Sequence, residues 1–204
     1  VDDWIEVPNI GSLQDFTVSF DFNVPNVSHQ QKLVVYDGGE SNNVQYDLFM
    51  LLVNPGGELR ASLRNDFTDA PPLTTIISYN QWHNATYKFS NDSILLYIDG
   101  QLVDSSTFPS FVLSHSRPLE FGFDNWNGLS YGTYLSGKLD NVQIWNTSLT
   151  QQEIQSYMNC PPSGNESGLV GYWNFEEGSG NTALDLTTNA NNGTINGATY
   201  DTNV

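Results

Sequence analysis

"LVGYWNFEEGSG", residues 169–180, crowds apolar and aromatic side chains into a strand and then breaks in a Glu-Glu-Gly-Ser-Gly turn. Extended backbone puts Leu169, Trp173 and Phe175 on one face and Val170 and Tyr172 on the other. The pattern predicts a buried, central strand of a β-sandwich that arrives late in the chain. Removing such a strand would leave an unpaired edge and an open core.

The stretches before it repeat that chemistry. "TVSFDFNV" (17–24) alternates strictly, with Val18, Phe20, Phe22 and Val24 against Thr17, Ser19, Asp21 and Asn23. "KLVVYD" (32–37), the nearly continuous apolar run "VQYDLFMLLVN" (44–54), and "GELRASLRN" (57–65) with Leu59, Ala61 and Leu63 inward all read as strands. "SILLYIDGQLVDS" (93–105) is a hairpin, because Asp99-Gly100 supplies the two positive φ angles of a type I′ turn. "QWHNATYKFS" (81–90), "LEFGFDNWNGLSYG" (119–132) and "GKLDNVQIWN" (137–146) add further strands, the second running into a Gly/Asn-rich loop. One helix is predicted in "SLTQQEIQSYM" (148–158), where Thr150 and Glu153 form a capping box and Leu149, Ile154 and Tyr157 face the core. "NCPPSGNESG" (159–168) stops it and links to the opening stretch. The fold class is therefore all-β: a two-sheet antiparallel sandwich with one short helix near 150–158.

Six Lys and Arg against 23 Asp and Glu give a net charge of -17. Such a chain repels phosphate backbones and anionic lipid, so neither a nucleic-acid partner nor membrane insertion is expected. The acidity has two readings, plain solubility or oxygen ligands for a hard cation. Cys160 is the one cysteine of the sequence, which excludes an internal disulfide. Six Asn-x-Ser/Thr triplets, at Asn26, Asn84, Asn91, Asn146, Asn165 and Asn192, read either as chance in a chain rich in these residues or as glycan acceptors. There is no run of 18 apolar residues and no signal peptide. The expectation is one module of a larger secreted or cell-surface protein.

Four segments, "DDWIEVPNIGSLQDFTVSFDFNV" (2–24), "QWHNATYKFSNDSILLYIDGQLV" (81–103), "GKLDNVQIWNTSLTQQEIQSYM" (137–158) and "GLVGYWNFEEGSGNTALDLTTNANNGTINGATY" (168–200), resemble the laminin-G-like, concanavalin A-like jelly rolls, with a pentraxin-like strand order. In such modules the "YWNFEEGSG…NNGT" segment comes first and the helix last. The resemblance therefore implies a single sandwich over 1–204 in which 168–200 supplies a closing strand, either by circular permutation or as the start of a following repeat.

Related jelly rolls include polysaccharide-cleaving enzymes. Glycoside hydrolysis needs two carboxylates on one face, and no strand here carries alternating acids; Glu176 and Glu177 are adjacent and so point apart if extended. His29, His83 and His115 lie in unrelated contexts, and His83 stands where the family places a structural Trp-His pair. Cys160 lies beside two prolines without a nearby histidine. The expectation is a non-catalytic module that binds carbohydrate or a cell-surface or matrix ligand, with neighbouring domains of its own polypeptide as partners. The alternative is a structural spacer or adhesion repeat.

The resemblance also implies Ca²⁺. Asp140 stands where similar jelly rolls use an acid for a cation, with Glu176 to complete the site; the competing reading makes Asp140 a turn-capping acid. A second, ligand-bridging ion carries over from pentraxins onto Asn42, Asn43, Asp124 and Asn125, although fewer carboxylates here mean weaker binding. Trp126 and Tyr131 flank the Gly/Asn-rich loop and can stack on sugars while Asn125 bonds hydroxyls, unless Trp126 folds back over the core edge. Arg60 and Arg64 share a strand face and suit either an acidic glycan or cross-strand ion pairs.

Overall fold

The computed structural model describes residues 3–41, 44–65, 68–109, 111, 117–123 and 134–201. Within them the strands are β1 (Trp4–Val7), β2 (Phe16–Asn23), β3 (Gln31–Ser41), β4 (Val44–Val53), β5 (Glu58–Asn65), β6 (Thr68–Asp69), β7 (Leu73–Ile76) and β8 (Trp82–Ser90). They continue as β9 (Ser93–Ile98), β10 (Gln101–Thr107), β11 (Leu119–Phe121), β12 (Lys138–Trp145), β13 (Leu169–Trp173), β14 (Thr182–Ala183) and β15 (Gly193–Asn196), with helix α1 (Gln151–Asn159) between β12 and β13.

Two antiparallel sheets face each other. One runs β14-β15-β1-β11-β3-β4-β5-β6, with β7 also on β5; the other runs β10-β9-β8-β2-β12-β13. The alternation in 17–24 is realised: Val18, Phe20 and Phe22 enter the interior with Phe49, Leu51, Tyr87, Phe121 and Trp173. Leu59, Ala61 and Leu63 join them from β5. Asp99 and Gly100 take φ of 50° and 71° at the β9–β10 hairpin, as a type I′ turn requires.

Helix α1 closes a second, smaller core on the outer face of the β2–β12 sheet. Tyr97, Trp145, Leu149, Ile154, Leu169 and Tyr172 pack there, and the Trp145 and Tyr157 rings lie 4.7 Å apart. The capping box is complete: Thr150 Oγ1 accepts from the Glu153 amide and Glu153 accepts from the Thr150 amide. Lys88 donates to the Leu149 carbonyl (2.6 Å), fixing the helix entry to β8.

The late strand departs from expectation in two ways. β13 is the edge of its sheet, paired with β12 alone, not a central strand. Its simple alternation is also broken, because a register shift leaves Val170 without an opposite residue while Gly171 faces Ile144 and Leu169 faces Trp145. Val170 and Trp173 consequently pack on the inter-sheet core, and Leu169 and Tyr172 on the helix side. Gly171 is required at this point, since a Cβ there would lie 2.3 Å from the Trp173 ring.

The segment after β13 protects that edge. Buried Asp185 accepts from the Tyr172 amide (3.0 Å), from the Thr187 and Asn191 amides and from the Thr187 hydroxyl. Asn189 and Asn191 donate side-chain N–H groups to the Val170 carbonyl. The exposed groups of an edge strand are thereby satisfied within the chain. β14 and β15 then finish the opposite sheet beside β1.

Candidate functional site

A cleft of about 480 Å³ opens at this end of the sandwich, where the exit of β13, the start of β12, β1 and the residues after β15 converge. Its aromatic wall is formed by Trp4, Trp82, Phe175 and Tyr200. Its polar wall is formed by Asp3, Asp140, Asn174, Glu176 and the Lys138–Asp201 ion pair. Beneath it, Phe121 meets Trp173 and Phe175 edge-on, with centroids 5.3 and 6.3 Å apart. The volume falls within the range of small-ligand sites, and a few convergent polar groups in an aromatic setting are what such sites present.

Two backbone irregularities adjoin the carboxylates. In β12 the register with β2 shifts between Asp140 and Gln143, and Asn141 adopts φ of 50°. After β13, Phe175 adopts φ of 52°, a left-handed conformation uncommon for a large side chain, immediately before Glu176. Both departures flank a cleft acid. Gly137 lets the chain approach β2 closely at the cleft wall, because a Cβ there would lie 2.3 Å from the Asn23 carbonyl oxygen.

Burial raises the Asp140 carboxyl to about 6, with the charges of Asp21 and Glu176 adding to the shift and the Asn141 amide opposing it. That amide donates to Asp140 Oδ1 at 2.7 Å, so the turn-capping contact is present. Asp21, directly opposite Asp140 on β2, is also raised by burial, although Asn84 (2.8 Å) and Asn141 (3.1 Å) donate to it. Tyr172 is pushed up to about 12 by burial and by Asp140, Asp21 and Glu176, and its hydroxyl donates to Asn141 Oδ1. The acids thus form one electrostatically linked group extending from the outer sheet face into the cleft.

Asp140 and Glu176, paired from sequence, do line one cleft. Calcium takes six to eight oxygens. Among the described residues no three His, Cys, Asp or Glu side chains are gathered to hold a metal ion, so this pair supplies two carboxylates of a shell that Asn174 and main-chain oxygens would have to extend. Glu177 has a separate role: it accepts from the Leu184 amide and, together with burial, raises Tyr200 to about 12.

Arg60 and Arg64 lie on β5, outside the cleft. Arg64 makes a two-pronged ion pair with Asp69, the residue directly opposite on β6, and Arg60 donates to Ser62. Asn42, Asn43, Asp124, Asn125, Trp126 and Tyr131 lie outside the described residues. The described residues that bracket the last four in the sequence are at the cleft: the Leu135 amide donates to the Gly122 carbonyl, Phe123 stacks on Tyr134 at 4.4 Å, and Gly122 and Leu135 are cleft residues.

His83 is held by Asp99 (2.9 Å) and stands against Phe22, as a structural residue would be, whereas Trp82 beside it is 40% exposed and lines the cleft. Buried Asn84, spent on Asp21, is unsuited to carry a glycan. The sequence pattern singled out neither Trp4, Tyr200 nor Asp185. Only for Asp185 was a local signal available, in the Asp-x-Thr spacing that favours such side-chain turns.

The two facing antiparallel sheets make a jelly-roll sandwich with an aromatic, acid-lined cleft at one end. The chain belongs to the concanavalin A-like lectin/glucanases superfamily, whose family model matches residues 1–155. Residues 168–196 lie beyond that match and nevertheless pair into both sheets.

Among solved structures, the chain is similar to a Bacteroides ovatus protein proposed to bind carbohydrate, with 17% identity and a TM-score of 0.75 over 98% of this chain and 58% of that one. It is similar to the heptameric SAP-like pentraxin of Limulus polyphemus (14% identity, TM-score 0.65, 95% and 88% covered). A third similarity is to the CBM40 of the Ruminococcus gnavus IT-sialidase, solved with α2,3-sialyllactose (15% identity, TM-score 0.59, 71% and 82% covered). The chain therefore spans 58% of the length of the Bacteroides protein. Comparison with curated protein sequences gives no match.

Proposed function

We propose that this chain is a non-catalytic carbohydrate-binding module and that the end cleft is its binding site. The observation that carries the reading is the juxtaposition of exposed Trp82 with Trp4 and Tyr200 on one side and the carboxylates and amide of Asp140, Glu176 and Asn174 on the other. Indole and phenol rings stack on the apolar faces of sugar rings, and carboxylates and amides accept hydrogen bonds from hydroxyls. The fold shared with a sialyllactose-bound module and with a protein proposed to bind carbohydrate supports the same reading. Asn125, Trp126 and Tyr131 belong to the proposal as well, on the ground that Gly122 and Leu135, which bracket them in the sequence, line the cleft. Calcium at Asp140 and Glu176, or at Asp124, Asn42 and Asn43, belongs to this proposal, as does work outside the cell.

Retention on immobilised glycans, with and without a chelator, tests it. Trp82→Ala should abolish retention and leave the melting temperature within about 2 °C of the parent; Trp126→Ala tests the loop in the same way. Loss that follows chelation places calcium in the ligand contact, whereas calcium-dependent melting alone assigns it to the fold. Undiminished glycan retention by Trp82→Ala would remove the cleft as the site.

A further inference from the structure

The cleft has the wrong charge for an acidic sugar. Four carboxylates, Asp3, Asp140, Glu176 and Asp201, line it against one cation, Lys138, which is paired with Asp201. Asp3 Oδ1 is shut off from solvent and accepts no hydrogen bond from the described residues, an arrangement that costs free energy until a donor arrives. None of the three arginines lines the cleft, Arg60 and Arg64 being on β5 and Arg117 just before β11, and the chain as a whole carries -17. Its field therefore repels anionic glycans and gathers cationic ones.

An ammonium group needs only two or three acceptors, where Ca²⁺ needs six to eight oxygens. Two carboxylates sharing a cleft with stacking rings meet the smaller requirement. Resting on the carbohydrate reading above, we propose that the cleft's ligand is a glycan carrying a free hexosamine. Its protonated amine sits between Asp140 and Glu176 while the ring faces Trp82. Calcium competes for the same two carboxylates, and N-acetylation of the amine removes the charge that this subsite recognises.

Calorimetric titration at pH 6.5 with three probes separates the possibilities: a fully deacetylated glucosamine trisaccharide, its N-acetylated counterpart and sialyllactose. The expected result is at least about tenfold tighter binding of the deacetylated probe than the acetylated one, the worth of one charge-assisted hydrogen bond. That ratio should shrink with added salt and with millimolar calcium, and fall to near one in both Asp140→Asn and Glu176→Gln. Equal affinity for the two glucosamine probes, or preference for sialyllactose, overturns the ligand class while leaving carbohydrate binding standing. Binding of a lysine-rich peptide without any glycan overturns both.

Discussion

Replacing Asp140 by Asn should stabilise the protein at neutral pH. The Asp140 carboxyl is raised from 3.8 to about 6, first by burial and then by Asp21 and Glu176. Between these two values the folded chain holds a proton that the unfolded chain has released. Stability therefore falls as pH rises from about 4 through about 6, and the loss is complete above that window. At about 1.4 kcal/mol per pH unit the shift corresponds to roughly 3 kcal/mol. Asp140 is only half-buried, and solvent screening brings this to about 1 kcal/mol.

Asparagine keeps the Oδ1 acceptor that the Asn141 amide uses and removes the charge. In a chelator, Asp140→Asn should equal the parent at pH 4 and exceed it by about 1 kcal/mol at pH 7.5, which for a chain of this length raises the melting temperature by roughly 2–4 °C. Taking the difference between variant and parent isolates this one group. It cancels Asp69, Glu153 and Glu166, which are lowered and contribute with the opposite sign, while the relief of Asp21, coupled to the Asp140 charge, counts within the difference. Melting curves from pH 4 to 8 decide the matter. A difference that is flat with pH, or a variant less stable at pH 7.5 than at pH 4 relative to the parent, would refute the electrostatic account of the site.

Trp173 is fully buried, donates to the Asn191 carbonyl and meets Phe121 edge-on, so Trp173→Ala should cost about 3–5 kcal/mol in denaturant unfolding, with Trp173→Phe losing less. Thr150→Ala deletes the cap of α1 and should cost about 1 kcal/mol by the same measurement. Ending the chain after Pro162 removes β13, β14 and β15, exposing an edge of each sheet and the hollow left by Trp173. It should give an insoluble or unfolded product by circular dichroism, and a well-folded 1–162 fragment would contradict the pairing described.

Most strands were legible because period-2 alternation has one physical cause, a sheet with one face on the core. The 17–24 run, the Leu59-Ala61-Leu63 face, the Asp99-Gly100 turn and the Thr150/Glu153 box appear where that chemistry puts them. Alternation fails where a bulge adds a residue. A reader of "LVGYW" has no means of knowing that Val170 lacks a partner, and so assigns Val170 and Tyr172 to one face although they pack in different cores. Centrality failed for a different reason: Trp173 is buried by its place in the inter-sheet core, not by a strand on either side. Asp140 and Glu176 were found through resemblance. Trp4, Trp82 and Tyr200 come from distant parts of the chain, and no local pattern announces that three strand ends will meet.

The same places that defeated the alternation are the ones that build the cleft. β12 carries Asp140 in register with Asp21 and shifts only beyond it, where Asn141 adopts a left-handed conformation. A regular continuation of β13 would keep Phe175 extended, whereas its left-handed turn lets the ring pack on Phe121 while Glu176 remains exposed at the rim. Each departure gives up ladder bonds or torsional ease and is met by local contacts: Asn141 donates to Asp21 and accepts from Tyr172, and Phe175 packs on Phe121. Two such departures, on adjacent strands and each beside an acid, fall where the proposed site calls for irregular backbone.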